Sequence, residues 1–123
     1  MSGAIGWGGR VGLGVGVVVV ILLSLTPAAE LPLHPNIWDK AQHFLAYGVL
    51  GFCGAIGFPR PMPLRRVAGG LVLLGGLLEV GQIFVAGRQG SVGDAVANGL
   101  GVAAGIALVL LVRAVHLRTV RPQ

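Results

Sequence analysis

The sequence predicts an all-α integral membrane protein with four transmembrane helices in an up-down bundle and both termini in the cytoplasm. Three observations carry this prediction: the apolar composition, the number of long apolar runs and the positions of the basic residues. Hydrophobic residues make up 54% of the chain and charged residues 11%, and the mean hydropathy is +0.86. A water-soluble fold has a more polar balance. At 123 residues the chain has room for a single domain, 1–123.

The first predicted helix covers about 8–26. About 20 residues cross the hydrocarbon core of a bilayer, so Trp7 and its neighbouring glycines must enter the interface. The run also has features of a signal peptide, with Arg10 before it and the small residues Ala28 and Ala29 after it. Two interpretations stay open, an uncleaved helix and a cleaved signal, and the uncleaved helix is favoured.

Three further helices are predicted at about 39–58, 66–86 and 92–113. A proline-rich stretch precedes the second helix, the sequence PRPMPLRR separates the second from the third, and GRQGS separates the third from the fourth. Trp38 fits an anchor at the outer membrane interface and Trp7 one at the inner interface. Short connections of this kind join neighbouring antiparallel helices.

The basic residues predict the orientation. Of nine Lys and Arg residues, all but Lys40 and Arg88 lie in the N-terminal segment, the second connection or the C-terminal segment: Arg10, Arg60, Arg65, Arg66, Arg113, Arg118 and Arg121. In a four-span chain these places share one side, which the positive-inside rule assigns to the cytoplasm. Cleavage of the first run would leave every later element on the same side. The net charge of +5 does not indicate nucleic-acid binding, because no basic helix with interleaved aromatic residues accompanies it.

Two rows of small residues four apart predict close helix contacts, within one molecule or between two copies. The intramolecular alternative is favoured, and oligomerisation through these faces stays open. The rows are Gly8, Gly12 and Gly16 on the first helix, and Ala97, Gly101 and Gly105 on the fourth.

The polar residues concentrate at one depth, in the outer half of the predicted bundle. All four acidic residues lie there, together with most other polar side chains of the spans: Glu30, Asp39, Lys40, His43, Tyr47, Glu79, Gln82, Arg88, Ser91, Asp94 and Asn98. Helical spacing aligns Asp39, His43 and Tyr47 on one stripe. It likewise pairs Glu79 with Gln82, and Asp94 with Asn98. The inner halves of the same helices are almost purely apolar.

Two interpretations of this polar set stay open. A carboxylate in hydrocarbon costs about 3 kcal/mol, so Glu79 is expected either to face the bundle interior with a partner or to be protonated. In the structural interpretation, ion pairs and hydrogen bonds lock the outer helix ends together. In the functional one, the set lines an outward-facing cleft with Glu79, His43 and Asp94 as candidate catalytic residues and Arg88 as the holder of an anionic group.

No metal and no cofactor is predicted. Asp39, His43, Glu79 and Asp94 are plausible ligands for a divalent ion, but there is no HExxH motif and no second nearby His. Ser91 lacks the Gly-x-Ser-x-Gly context of a nucleophile. It is predicted instead to be the N-cap of the fourth helix, with Asp94 three residues on completing a capping box.

The segments DKAQHFLAYGVLGF from Asp39 and EVGQIFVAGRQGSVGDAVANGLGVAAG from Glu79 resemble the VanZ-like family of small bacterial membrane proteins. The resemblance covers about 38–105, and the first helix matches only as an apolar span. Where some members carry a further acidic residue and a His, this chain has Leu78 and Gly81, which further weakens a metal site. The matched positions are Asp39, Lys40, His43, Tyr47, Glu79, Gln82, Arg88, Ser91, Asp94, Asn98, Gly101 and Gly105.

The family is named for a protein associated with low-level teicoplanin resistance. The resemblance therefore implies a multi-pass protein of the bacterial plasma membrane, with membrane lipids as partners, that acts at the outer face on glycopeptides, anionic lipids or lipid-linked envelope precursors. It leaves open whether a reaction is catalysed. The first alternative is an intramembrane enzyme acting on a lipid headgroup, with Glu79 or His43 as acid–base and Arg88 on the anion. The second is a small proton-coupled transporter using Glu79.

Overall fold

The computed structural model describes residues 3–30 and 39–119 and has an all-α fold. The described helices are α1 (Gly3–Ser24), α2 (Asp39–Gly57), α3 (Pro61–Gln82) and α4 (Val92–Thr119), with a short 3-10 helix, Ala28–Glu30, after α1. The predicted roles of Trp38 and Arg121 concern residues outside the described ranges. Four helices were predicted, and four are observed.

Helix α3 lies earlier in the chain than the predicted 66–86. It begins at Pro61, because proline is tolerated in a first turn where its missing N–H would have no partner. The helix ends at Gln82, and the chain continues in tighter turns such as the one closed by the Val85 N–H on the Gln82 carbonyl at 3.1 Å. Gly87, with φ 71°, then adopts a left-handed conformation that favours glycine.

Helices α1 and α4 are longer than predicted. Helix α1 begins at Gly3 and α4 continues to Thr119, past the predicted end at Arg113. The last turn of α4 carries His116 and Arg118, basic side chains that suit the negative end of a helix dipole. By length and apolar composition, α1 and α4 are the two described helices that qualify as membrane spans.

The helices alternate in direction, as in an up-down bundle. Glycines 9, 12 and 16 of α1 approach α2 near residues 57, 53 and 50, so these two helices run antiparallel. Helix α2 contacts α4 through residue pairs that ascend together, from Lys40–Asp94 to His43–Asn98, so α2 and α4 run parallel. The start of α2, the start of α4, and the ends of α1 and α3 therefore lie at one end of the bundle.

Helix α2 is the central element, and its glycines explain how it contacts three neighbours. Gly48, Gly51, Gly54 and Gly57 are three residues apart, so each successive glycine is turned by about 60° around the helix. A Cβ at Gly51 would meet the Val102 backbone of α4, one at Gly54 would lie 2.9 Å from Val67 of α3, and one at Gly57 would lie 2.9 Å from the Arg10 amide of α1.

The rows of small residues are largely explained by contacts inside the molecule. A Cβ at Gly101 or Gly105 would overlap the α2 backbone, and one at Gly16 would lie 2.6 Å from Leu50. Gly8 was assigned to the wrong face: nothing lies within 4 Å of its Cβ position, and Gly9 makes the α1–α2 contact instead. Oligomerisation through the remaining small residues stays a prediction.

The interior is small and the exterior is apolar. Tyr47, Leu50, Leu71 and Val102 form one buried cluster, and a second one lies nearer the opposite end of the bundle. Large apolar side chains are exposed along α1 and α4, including Val15, Leu22 and Leu111. Contiguous apolar surface of this kind is avoided by water-soluble monomers.

Candidate functional site

Eight of the predicted polar residues meet at the end of the bundle where α2 and α4 begin. We call them the histidine cluster because His43 lies at its centre: Asp39, Lys40, His43, Tyr47, Glu79, Ser91, Asp94 and Asn98. The members come from α2, the end of α3 and the start of α4. The side chains of Lys40 and Asp39 are exposed to 66% and 48%. Those of Glu79 and Asp94 are buried, with exposed fractions of 8% and 4%.

His43 contacts oxygen atoms from all three helices. Its Nδ1 lies 2.9 Å from Asn98 Oδ1 and 3.5 Å from Glu79 Oε1. Because both oxygens accept hydrogen bonds, Nδ1 is the donor in this geometry. Its Nε2 lies 3.7 Å from Asp39 Oδ1, one helical turn earlier. The ring therefore connects an exposed carboxylate with a buried one.

Glu79 caps the neighbouring helix. Its Oε2 accepts a hydrogen bond from the Ser91 N–H at 2.9 Å, at the positive end of the α4 dipole, where a carboxylate is stabilised. The Ser91 hydroxyl accepts from the Asp94 N–H at 3.3 Å, which confirms the predicted N-cap. The reciprocal half of the capping box is different from the prediction, because Glu79 rather than Asp94 receives the Ser91 N–H.

Asp94 is a buried charged group of the cluster whose Oδ1 has an ion-pair partner but no hydrogen bond among the described residues. Lys40 Nζ lies 3.5 Å from its Oδ1, but the contact lacks hydrogen-bond geometry. Asp94 Oδ1 is buried without a hydrogen-bond partner among the described residues, as is the Tyr47 hydroxyl. Buried polar atoms of this kind cost free energy unless a ligand or solvent satisfies them.

The deeper part of the cluster is closely packed around Gly75 of α3. A Cβ at this position would lie 3.0 Å from Asn98 Nδ2 and 3.3 Å from the Tyr47 ring. The absence of a side chain at Gly75 therefore lets Tyr47 and Asn98, both 2% exposed, meet α3 at one level. The predicted matching depth of polar groups on three helices is observed.

Gln82 and Arg88 do not join the histidine cluster. Gln82 Nε2 donates to the Ser24 carbonyl at 3.2 Å. One Arg88 terminal nitrogen donates to the carbonyls of Leu23 and Ser24 at 3.1 and 3.5 Å. These bonds satisfy carbonyl groups at the end of α1, where a cation also suits the helix dipole. Arg88 thus holds α1 against α3, which does not support its predicted role as an anion holder.

Sequence reasoning missed Ser24, Gly75 and Gly90 as parts of this region. Ser24 acts through its main-chain carbonyl, which every residue has, so no residue-type signal existed. A Cβ at Gly90 would overlap the Glu79 carbonyl, so only glycine fits between the α3 end and the α4 start. The GRQGS turn contained that glycine, but its packing partner was invisible without the fold.

Asp39, His43 and Asp94 each offer one metal-ligand atom, all within 4.8 Å of one another. Ligands bound at about 2.1 Å lie at most about 4.2 Å apart, so this arrangement would have to contract around an ion. Lys40 already brings a positive charge to Asp94. The predictions of no metal and no cofactor stay predictions.

Comparison with known proteins gives one match. A protein-family model described as VanZ/LLP1 matches residues 12–113. No curated protein and no solved structure is significantly similar to the chain. The matched range contains the whole histidine cluster and α2 and α3 in full. It also includes α1 from Gly12 onward, which the sequence resemblance had treated as a generic apolar span.

Proposed function

The chain belongs to the VanZ/LLP1 family of membrane proteins, and from that premise we propose that it is a multi-pass protein of the bacterial plasma membrane that binds a cell-envelope ligand at its outer face. All four helices span the bilayer in this proposal. Helices α2 and α3, with 19 and 22 residues, are about 28 and 33 Å long, which matches a hydrocarbon core of about 30 Å. Their polar residues are accommodated against α1 and α4.

The orientation follows from the charges at the two ends. Arg10, Arg60, Arg65, Arg66 and Arg113 belong to the end opposite the histidine cluster, whereas all four acidic residues belong to the cluster's end. The positive-inside rule then assigns the arginine-rich end to the cytoplasm and the histidine cluster to the outer face. Helix α1 is retained in this proposal, because Gly9, Gly12 and Gly16 pack on α2 and Arg88 holds its end.

The observation that carries the ligand proposal is the buried Asp94 Oδ1, which has no hydrogen-bond partner among the described residues and lies 3.5 Å from Nζ of the exposed Lys40 side chain. An opening with donors, acceptors and both signs of charge suits glycopeptides and lipid-linked precursors, which carry amide, hydroxyl and charged groups. Binding of such groups near Asp94 would change how these compounds meet the cell surface.

Teicoplanin susceptibility tests this proposal. We expect expression of the chain in a susceptible host to raise the minimal inhibitory concentration by more than one dilution step. Asp94→Asn keeps the size of the side chain but removes its charge, and we expect it to abolish the rise at equal membrane abundance. The control is Arg66→Gln, a change to an exposed arginine at the opposite end. No rise with well-inserted wild-type protein counts against the proposal.

A second candidate function is an intramembrane enzyme acting on a lipid headgroup. The contacts of His43 favour it, since an imidazole between an exposed and a buried carboxylate is suited to proton transfer. Arg88 binds α1 through one terminal nitrogen and keeps further N–H donors, but it lies outside the histidine cluster, so Lys40 is the cation nearest to the site.

A proton-coupled transporter is the third candidate, and the burial pattern disfavours it. The buried polar side chains of the described residues are Ser24, Glu79, Gln82, Asp94 and Asn98, all in the half of the bundle that contains the histidine cluster. The other half buries Ala55, Leu64 and Val109. A proton path needs polar groups toward both sides.

A further inference from the structure

A second candidate site, lined by two arginines and three apolar residues, lies at the opposite, arginine-rich end of the bundle. A cavity of about 410 Å³ opens between the start of α1 and the turn from α2 to α3. It is lined by Arg10, Phe58, Pro59, Arg60 and Pro63, none of which belongs to the histidine cluster. Its volume falls in the range of small-ligand sites.

Arg10 is held in a defined orientation at this cavity. Its Nε donates to the Gly57 carbonyl at 3.0 Å, and its guanidinium lies 5.2 Å from the centre of the Phe58 ring. A guanidinium has five N–H donors, and the bond to Gly57 uses one of them. The terminal nitrogens therefore keep the planar geometry that binds phosphate through two parallel hydrogen bonds.

Arg60 contributes a second positive charge. It is exposed and is the N-cap residue of α3, where its side chain makes no capping hydrogen bond. All four acidic residues of the chain lie at the other end of the bundle. Among the described residues no carboxylate side chain lies at this end of the bundle, so an anion from outside the chain would complete the site.

The surroundings of the cavity indicate what kind of anion would bind to Arg10 and Arg60. Trp7, one helical turn before Arg10, is 68% exposed, and Met62, between the two prolines of α3, is 59% exposed. An apolar surface beside a basic cavity suits a ligand with both a phosphate and acyl chains. Basic pockets between helices on the cytoplasmic side of a membrane are typical sites for anionic lipid headgroups.

We propose that Arg10 and Arg60 bind the phosphate of an anionic phospholipid from the inner leaflet, with its acyl chains along the apolar surface near Trp7 and Met62. This site is separate from the proposed outer-face site and depends only on insertion of the chain with its arginine-rich end inward. Failure of the teicoplanin experiment would leave it unaffected.

Quenching of Trp7 fluorescence by brominated lipids tests the proposal. The full chain carries two tryptophans, so Trp38→Phe leaves Trp7 as the single reporter. The protein is reconstituted in phosphatidylcholine bilayers in which a minor fraction is either brominated phosphatidylglycerol or brominated phosphatidylcholine. We expect stronger quenching by the phosphatidylglycerol. The preference of the site for phosphatidylglycerol over phosphatidylcholine should fall about fivefold when either Arg10 or Arg60 is replaced by Gln, and by the product of the two when both are replaced.

The matched control is Arg65→Gln with Arg66→Gln, which removes the same charge from exposed arginines of α3 that do not line the cavity. We expect this pair to keep the preference while Arg10→Gln with Arg60→Gln loses it. Equal loss in both pairs would show a diffuse charge effect and overturn the site, as would equal quenching by the two lipids with the wild-type arginines.

Two further arms complete the experiment. Arg60→Gln alone leaves the hydrogen bond between Arg10 and Gly57 intact, so this variant tests the site even if the double variant misfolds. An unchanged lipid preference in Arg60→Gln would overturn the two-arginine site. Inorganic phosphate at constant ionic strength should not reduce the quenching. If it abolishes the preference, the site binds free phosphate and the lipid assignment is wrong.

Discussion

At the scale of single residues, arginines satisfy main-chain carbonyls at helix ends. Arg88 donates to carbonyls at the end of α1, Arg10 to the Gly57 carbonyl of α2, and Arg113 to the Ala55 carbonyl of α2 at 2.8 Å. The carbonyls of a last helical turn lack partners within the helix, and a cation is favourable there. Arg10 and Arg113, which predict topology from the sequence, thus also connect α1 and α4 with α2.

Glu79→Gln separates the catalytic from the structural interpretation of the cluster. The amide oxygen of Gln still accepts the Ser91 N–H, so we expect normal accumulation and helix content. If the chain is an enzyme, headgroup release from phosphatidylglycerol or phosphatidylethanolamine vesicles should fall by about 100-fold or more, because the proton carrier is lost.

The comparison uses circular dichroism for the helix content, immunoblots for abundance, and wild-type protein at the same lipid ratio for turnover. Poor accumulation of the Gln variant would favour the structural interpretation. Absence of headgroup release from the wild type on either lipid would remove the enzyme candidate for these headgroups.

The sequence predicted which polar residues lie at the same depth, but not which of them join the histidine cluster and which bind α1. Asp39, His43 and Tyr47 were placed on one stripe because helical spacing is local, and His43 does lie near Asp39. Gln82 and Arg88 were grouped with Glu79, yet both bind α1. That division depends on where the end of α1 packs, which is a contact over about 60 residues that no spacing rule contains.

At the scale of helices, close contact between α2 and α4 depends on glycine. These helices run parallel, and Gly101 and Gly105 of α4 lie against the main chain of α2 near Phe44 and Gly48. Contacts of this kind permit close packing in lipid, where no hydrophobic effect drives helices together.

Gly105→Ala should therefore weaken the bundle. A Cβ at this position would lie 2.7 Å from the Phe52 amide, so the helices must separate, and we expect a loss of about 1–3 kcal/mol in the free energy of unfolding. Gly99→Ala is the matched control on the same helix, because nothing lies within 4 Å of its Cβ position. Denaturant titration in detergent, followed by circular dichroism, measures both variants. Equal stability would contradict the packing role of Gly105.

The helix boundaries illustrate what local sequence can and cannot fix. The described part of α2 begins at Asp39, the residue at which this helix was predicted to start. The start of α3 was placed too late because the whole of PRPMPLRR was taken as a connection, whereas the first turn of a helix tolerates proline. Arg113 was taken as the end of α4, but it binds the Ala55 carbonyl from within a continuing helix.

At the scale of the whole molecule, the two ends have opposite chemistry. The end with the histidine cluster contains every carboxylate side chain of the sequence, and the other end contains six of the described arginines: Arg10, Arg60, Arg65, Arg66, Arg113 and Arg118. The apolar cores around Leu50 and Ala55 lie between the polar regions. Such a distribution fits a molecule that meets different surroundings on the two sides of a bilayer.

Labelling of single cysteines in intact cells checks the proposed orientation. Cys53 is the single native cysteine, and Cys53→Ala provides the background. Gln89→Cys lies in the exposed turn before α4, and Thr119→Cys lies at the exposed end of α4. We expect a membrane-impermeant maleimide to label Gln89→Cys before lysis and Thr119→Cys only after it. The reverse labelling pattern would show that the topology is inverted. Labelling of both cysteines before lysis would contradict a chain with four transmembrane spans.

The central position of α2 has a consequence for how the protein is made. Helix α1 is apolar enough to enter the bilayer from the translocon without a partner helix. Helix α2, in contrast, exposes the polar stripe of Asp39 and His43 until α4 packs against it. Because α4 follows α2 and α3 in the chain and α2 packs along it, the earlier helices stay incompletely covered until α4 has been synthesised. We therefore expect chains truncated before α4 to expose the charges of the histidine cluster and the glycine face of α2 to lipid, and to accumulate poorly for that reason.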